Sequence, residues 1–326
     1  MDKINEVDRK IIYEISEDAR ESHNKLAKKL YISREVFDYR LKKLQEKGII
    51  TNYQARINIS NFIYGGYIIL IQTISLTKES EKKVLEKVKQ NTKTQYIGRL
   101  GGDYDFIIGF NVKNINELSE YIEDINNIFG SYKLKSSLLT MVKEIKDSFK
   151  SLFSNKSEEN NIISMPSIDK KIEIDEIGRK ILVMLGNDCT ISSWQIAEKV
   201  KLTDVAIRKR IQKLIDSGII LGFRTMINLP NIGYQINNIF LRINPKNSKS
   251  EKELQKFFQS DKKITYSTKI IGEYDYIFTV LTNDNLELKE YLSSLRDRFS
   301  DTIIEVNSLS LFEIIYHTQL AENFLR

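Results

Sequence analysis

Laid over itself at an offset of 170 residues, the sequence matches 6–59 to 176–229 without a gap, and 16 of 54 positions are identical. Arg9/Arg179, Ala27/Ala197, Arg40/Arg210, Leu44/Leu214 and Gly48/Gly218 are among them. The same offset carries Asn61 onto Asn231, Tyr64 onto Tyr234 and, far downstream, Gly102-Asp103-Tyr104-Asp105 onto Gly272-Glu273-Tyr274-Asp275. One fixed spacing sustained this far means a single folding unit written twice. Whatever the first copy builds, the second must build too. Between the copies, residues 151–170 are polar, hold one of only three prolines and lack periodicity, so they read as a linker. At 326 residues the chain is in any case too long for one core.

Each copy changes its hydrophobic period partway along. In the first, Val7, Ile11, Ile12 and Ile15 mark one amphipathic helix, Leu26, Ala27 and Leu30 a second, and Phe37, Leu41 and Leu44 a third. Ser22 and Ser33 stand where N-caps belong, and Gly48 where a helix ends on positive φ. Beyond Gly48 the pattern turns β-like, with strands expected at 49–59, 67–74, 95–100, 106–112 and 132–141 and helices near 79–91 and 115–129. That order, β-α-β-β-α-β after a leading strand, is ferredoxin-like. The expected fold class is α+β, two copies of a tri-helical domain followed by a ferredoxin-like sensor domain. The expected boundaries are 1–56 and 57–150, the linker 151–170, then 171–226 and 227–326.

The tri-helical block has a short second helix, a turn at Tyr31-Ile32-Ser33, and a polar face on its third helix, and it resembles a helix-turn-helix. With Phe37, Leu41 and Leu44 buried, 100° per residue turns positions 35, 38, 39, 42 and 43 outward. Those are the candidate DNA readers. They are Glu35, Asp38, Tyr39, Lys42 and Lys43 in the first copy, and Val205, Arg208, Lys209, Gln212 and Lys213 in the second. Ser33 and its counterpart Thr203, at the helix starts, join the DNA-binding candidates, as do Arg40 and Arg210 at the edge of the stripe, placed to reach phosphate or to pair with a neighbouring acid. The second copy's helix suits phosphate better, because two acids share the first copy's outward face. Charge distribution points the same way. Residues 1–56 carry thirteen basic against ten acidic residues, and 171–226 ten against seven.

At family level each copy resembles the Lrp/AsnC (feast/famine) regulators over nearly its whole length. The resemblance rests on Val7-Asp8-Arg9-Lys10-Ile11-Ile12, Leu26-Ala27, Ser33, Arg40-Leu41-Lys42-Lys43-Leu44, Gly48-Ile49-Ile50 and Gly102-Asp103-Tyr104-Asp105. It implies a DNA-binding domain, a linking strand, and an α/β sandwich that pairs through its sheets and often binds an amino acid or related small molecule. It also implies that the Gly-Asp/Glu-Tyr-Asp elements, Gly102 to Asp105 and Gly272 to Asp275, lie near the effector pocket. Read from the residues alone, they shape a β-turn and pack Tyr104 and Tyr274 against the partner sheet. The partners expected are double-stranded DNA and an amino-acid effector, with the sensor domains paired within the chain or in a homo-oligomer.

Other functions find little in the sequence. Cys189 is the lone cysteine and His23 and His317 the only histidines, so no disulfide or zinc set is expected, and a reducing cytoplasm fits. No apolar run approaches the roughly 20 residues of a membrane span. No nucleotide-binding glycine pattern, nucleophile elbow or histidine–carboxylate cluster is visible, so no cofactor, metal or catalytic residue is expected. His23 reads as an exposed helix residue and His317 as part of a polar tail. One enzyme class competes, because siroheme decarboxylases are built from similar units in tandem. Their histidine-containing sensor strands correspond here to 101–109 and 271–279, which hold no histidine. A DNA-silent sensor partner is the third reading.

Overall fold

The structure, a computed structural model, describes residues 4–16, 18–58, 65–74, 76–154, 172–244 and 248–318. Asn61, Tyr64 and most of the expected linker lie outside them.

Local capping sets the helical block. Asn5 and Asp8 form a capping box that opens α1 (Glu6–Ile15), the Ser22 hydroxyl accepts the Lys25 amide to open α2 (His23–Lys29), and Ser33 accepts the Val36 amide to open α3 (Arg34–Glu46). Tyr31, in the turn between α2 and α3, takes φ of 56°, and its counterpart Lys201 takes 55°. Gly48 ends α3 at φ of 62°. The chain then runs through β1 (Ile50–Ile57), β2 (Gly65–Thr73), α4 (Lys78–Gln90), β3 (Thr94–Gly101), β4 (Phe106–Val112), α5 (Ile115–Phe129) and β5 (Lys133–Asp147). The second copy repeats it as α6 (Glu176–Asn187), α7 (Ser193–Val200), α8 (Asp204–Asp216), β6 (Ile220–Ile227), β7 (Gln235–Ile243), α9 (Ser248–Ser260), β8 (Ile264–Ile271), β9 (Tyr276–Thr282), α10 (Asn285–Arg298) and β10 (Ile303–His317). No helix among the described residues is long and apolar enough to cross a membrane.

The two sensor sheets close on each other. β3-β4-β2-β5 and β8-β9-β7-β10, all antiparallel, join edge to edge into one eight-stranded barrel. The join is made by the two long strands. β5 pairs with β2 as far as Met141, bulges, and continues along β8 as Lys143 to Asp147. β10 pairs with β7 as far as Leu311, bulges, and continues along β3 as Glu313 to His317. Strand β5 was expected to stop at 141. It runs six residues further because the other copy supplies a new edge. Helices α4 and α5 cover one sheet and α9 and α10 the other, each over its own core, while Ile68, Leu70, Leu100, Phe240, Ile270 and Leu309 fill the space between the sheets. Pairing of the sensor domains is thus met within the chain.

The strands that follow the helical blocks also cross over. β1 and β6 pair with each other as a separate antiparallel ribbon. Ala55 and Ile57 of β1, both fully buried, enter the core formed by Ile181, Leu185, Ile207 and Leu214 of the second helical block. In return Leu229, just past β6, enters the core of Ile11, Ile12, Phe37 and Leu44 in the first. The expected linker needs correction at its start. Residues 150–153 form a 3-10 turn whose Phe153 is buried in that same first core, and the Leu152 carbonyl accepts from Arg9 Nη2 at 2.9 Å.

Candidate nucleic-acid interface

The helical stripe places the reading faces. Phe37, Leu41 and Leu44 are buried in α3, and Ile207, Ile211 and Leu214 in α8, so the opposite faces stand in solvent. Glu35, Tyr39, Lys42 and Lys43 are exposed on the first, and Val205, Arg208, Lys209, Gln212 and Lys213 on the second. Asp38 is half-buried.

Arg40 and Arg210, placed to reach phosphate or a neighbouring acid, are paired with acids here. Arg40 Nη1 donates to Asp8 Oδ1 at 3.1 Å, and Arg210 Nη1 bonds both Asp175 oxygens at 2.8 and 3.0 Å. Each pair ties the third helix of its block to the start of the first, a carboxylate held within the domain in place of a phosphate outside it. Ser33 and Thr203 cap their helices, accepting the Val36 and Ala206 amides.

Charge on the two faces is arranged differently, through an inversion that the aligned copies hold in plain view. Position 34/204 is Arg in the first copy and Asp in the second, and position 38/208 is Asp and then Arg. Both make an i,i+4 ion pair, Arg34 with Asp38 and Asp204 with Arg208, in opposite order. In the first copy His23 Nδ1 also lies 2.6 Å from Asp38, which is therefore held from two sides. In the second, Ser193 donates to Asp204, and this hydroxyl together with Arg208 holds the carboxyl below its usual range. Lys42 pairs loosely with Glu46 at 3.9 Å, and Lys43 lies 5.5 Å from the Tyr39 ring centroid. Lys209 stands in solvent, and Lys213, also exposed, acts through its charge on the Asp175 carboxylate. Gln212 donates to Asp216 at 2.8 Å.

The sensor turns sit at the seam between the copies. Gly102 and Gly272 take φ of 125° and 150°, and a Cβ on Gly272 would come within 2.8 Å of the Leu138 carbonyl oxygen, so only glycine fits there. Tyr104 and Tyr274 are 3% exposed and belong to the core between the sheets. Tyr104 donates across the seam to Glu273 at 2.9 Å, and Asn307 donates to Tyr274 at 2.9 Å and to Asp103 at 3.3 Å. Asp105 accepts the Thr73 amide and hydroxyl, and Asp275 the Ile243 amide. The polar groups of both turns thus bond within the chain, while Asp103 and Glu273 are also exposed. Two surface grooves lie elsewhere, at matching places between the sensor helices. One holds about 430 Å³ beside Asn91 and Asp124, the other about 420 Å³ beside Asp261 and Arg298.

A buried ionic cluster, absent from the sequence expectations, joins ribbon and barrel. Arg56 Nη2 donates to Glu144 at 2.7 Å, and Arg224 Nη1 donates to Asp147 at 2.7 Å. Burial raises the Asp147 carboxyl, but Arg224 and Arg56 overcome it and hold the group below its usual range. Glu144 is pushed up to about 7 by burial and by Asp147 beside it. His317, expected in a polar tail, instead ends β10 within this cluster, lowered to about 4 by burial and by the charge of Arg224. Cys189 is buried just past α6, where its amide donates to the Tyr53 carbonyl, and burial lifts its thiol to about 12.

Residues 4–51 match the winged helix-turn-helix DNA-binding family, and residues 174–215 the AsnC-type helix-turn-helix domain. An uncharacterized HTH-type transcriptional regulator of Pyrococcus furiosus is 30% identical over 144 residues, which cover 44% of this chain and 95% of that one. The DNA-binding transcriptional activator DecR of Escherichia coli K12 is 28% identical over 149 residues, 45% of this chain and 97% of DecR. Relatives about half as long, matched over nearly their full length, are what a doubled unit requires. Among solved structures, the siroheme decarboxylase NirDL is similar across 99% of this chain and 96% of its own, with a TM-score of 0.65 and 12% identity. At that identity the likeness speaks to the fold, two complete units in tandem.

Proposed function

Because this chain belongs to the Lrp/AsnC-type helix-turn-helix regulator family, with two such domains along its length, we propose that it is a sequence-specific DNA-binding transcription regulator whose two recognition helices are unequal readers. The observation that carries this is the exposed face of α8, where Lys209, Gln212 and Lys213 stand in solvent and Arg208 pairs with Asp204 of its own helix. Such a face meets the phosphate backbone and releases its counterions, which supplies affinity without sequence. The exposed face of α3 is mixed in sign and offers less. A dimer of identical chains presents two equal readers to a symmetric site, whereas this chain presents two different ones to an imperfect palindrome.

In this reading the chain works in the cytoplasm, performs no chemistry, and needs no cofactor. An amino acid or related small molecule would act by favouring one arrangement of the paired sensor sheets over another. The Gly-Asp-Tyr-Asp and Gly-Glu-Tyr-Asp turns are where such a shift would be felt, since Tyr104, Glu273, Asn307 and Asp103 bond across the seam.

A second reading follows from the full-length likeness to NirDL: an enzyme acting on a tetrapyrrole. The arginines of the buried cluster are the cations that tetrapyrrole carboxylates would need, and both already hold carboxylates of this chain. A DNA-silent sensor partner is the third.

The test is a fluorescence-polarisation titration of the purified chain against mixed genomic DNA fragments at two salt concentrations, with an absorbance spectrum. The expected result is colourless protein whose binding weakens steeply with salt. Removing Arg208 and Lys209 together should lower the salt slope by about 2, near 0.9 for each phosphate no longer neutralised, and removing Lys42 and Lys43 by less. Equal losses would sink the unequal readers. Absence of binding would move the weight to the sensor partner, and a tetrapyrrole band to the decarboxylase.

A further inference from the structure

The first turn of a recognition helix is the part that meets base edges in the major groove. In both copies the second helical residue stands there in solvent, Glu35 in α3 and Val205, 57% exposed, in α8. The two are partners under the 170-residue offset. Their neighbours compensate one another within each copy: Asp38 is held by Arg34 and His23, and Asp204 by Ser193 and Arg208. Positions 35 and 205 differ outright, a carboxylate in one reader and an isopropyl group in the other. The Glu35 carboxyl lies below the usual range because its own amide and the Ser33 hydroxyl bond it, so at neutral pH it only accepts.

Base edges in the major groove distinguish these two groups. Cytosine presents the N4 amine, a donor that suits a carboxylate, and thymine presents a C5 methyl that suits an apolar side chain. Guanine O6 and N7 and thymine O4 are acceptors and repel a carboxylate, and adenine sets the N7 acceptor directly beside its N6 donor. We infer that Glu35 and Val205 are paired specificity determinants, Glu35 requiring cytosine in one half-site and Val205 requiring thymine at the equivalent position of the other. Trp194 stands on the same tip as Val205, next to the Ser193 that bonds Asp204, and is 59% exposed; its counterpart is Asn24. The second reader is therefore apolar where the first is polar. The inference rests on the DNA-binding reading and gives its asymmetry a chemical content.

Binding sites are selected from random DNA with the full chain and with Glu35→Val, Glu35→Gln and Val205→Glu. The expected wild-type motif has thymine in one half and cytosine at the mirrored position. Glu35→Val should move the motif toward thymine in both halves, Val205→Glu toward cytosine in both, and Glu35→Gln should lose the cytosine preference. The preference at the altered position should change by about fivefold to a hundredfold, the range of one good base-edge interaction. Replacing the thymine with deoxyuridine, which lacks only the methyl, should weaken the wild type more than Val205→Ala, whose single methyl offers a smaller apolar contact. The two outcomes that overturn the inference are distinct. Salt-sensitive binding with motifs unmoved by the Glu35 and Val205 variants overturns it alone, and no DNA binding by the wild type overturns it with the reading it rests on.

Discussion

His317 ends β10 with its ring 6.3 Å from that of Tyr96, and it faces Arg224 of the ribbon and Asp147 of β5. Burial first, and then the Arg224 charge, lower it from 6.5 to about 4, although Asp147 pulls the other way. Its contribution to stability is therefore whole above the unfolded value and is lost as pH falls through the folded one. Across that window the unfolded chain takes up a proton that the folded chain refuses, a loss on the order of 2–3 kcal/mol. Glu144 works in the opposite sense over a similar range, its raised carboxyl favouring the folded state at low pH and losing that advantage as pH rises toward 7. The wild-type curve alone would blur the two. Denaturant midpoints of the wild type and His317→Gln between pH 4 and 7 separate them: the variant should lose less stability on acidification, and parallel curves would show that His317 does not titrate as described. None of this was legible in the sequence. The neighbours of His317 sit 93 and 170 positions away along the chain, and a lone histidine near a terminus has no local pattern to announce them.

At the scale of elements, legibility follows how local the cause is. The helices of both blocks were readable because three-to-four spacing, Ser22, Ser33 and Gly48 act within a turn or two of themselves. The sensor strands were readable to within a few residues, because alternation is also local. Two features were not. The extension of β5 to Asp147 depends on β8 for its edge, and the partner of β1 is β6, some 170 residues away. Arg40 and Arg210 were half legible, since their place at the edge of the stripe left phosphate and a neighbouring acid both open, and only the packing of α3 on α1 selects Asp8. The β1 crossing carries a sharp consequence. Ile57, fully buried, belongs by sequence to the first copy and by packing to the core of the second helical block. Ile57→Ala should cost about 2–5 kcal/mol, as for a large-to-small change in a core, and the loss should be felt in the other copy. Amide exchange should speed up in α6, α7 and α8 while α1, α2 and α3 keep their protection. Equal loosening of both blocks, or loosening of the first alone, would contradict the crossed packing.

At the scale of the whole molecule, neither copy completes itself. Each copy alone would expose the far half of its long strand, 142–147 or 312–317, together with the edge of β3 or β8 that the other copy's long strand covers, and one strand of the ribbon. Exposed edges of this length are templates for pairing with another chain. Each helical block would also lose the apolar residues that the other copy lends it, Ala55 and Ile57 in one direction and Leu229 in the other. The fold of each copy should therefore lean on the other, with association built into the covalent chain at high effective concentration. Cutting that connection tests it. Fragments 1–154 and 172–326 produced together should copurify as a one-to-one complex and, on the DNA-binding reading, recover the salt-sensitive binding proposed for the intact chain, with an affinity that now falls on dilution. Each fragment alone should pair with itself or aggregate, because its edges remain the same whatever covers them. A fragment that stays monomeric and well folded by amide exchange would mean that the barrel seam and the ribbon are incidental to the fold of each copy, and that the two readers are held by the linker alone.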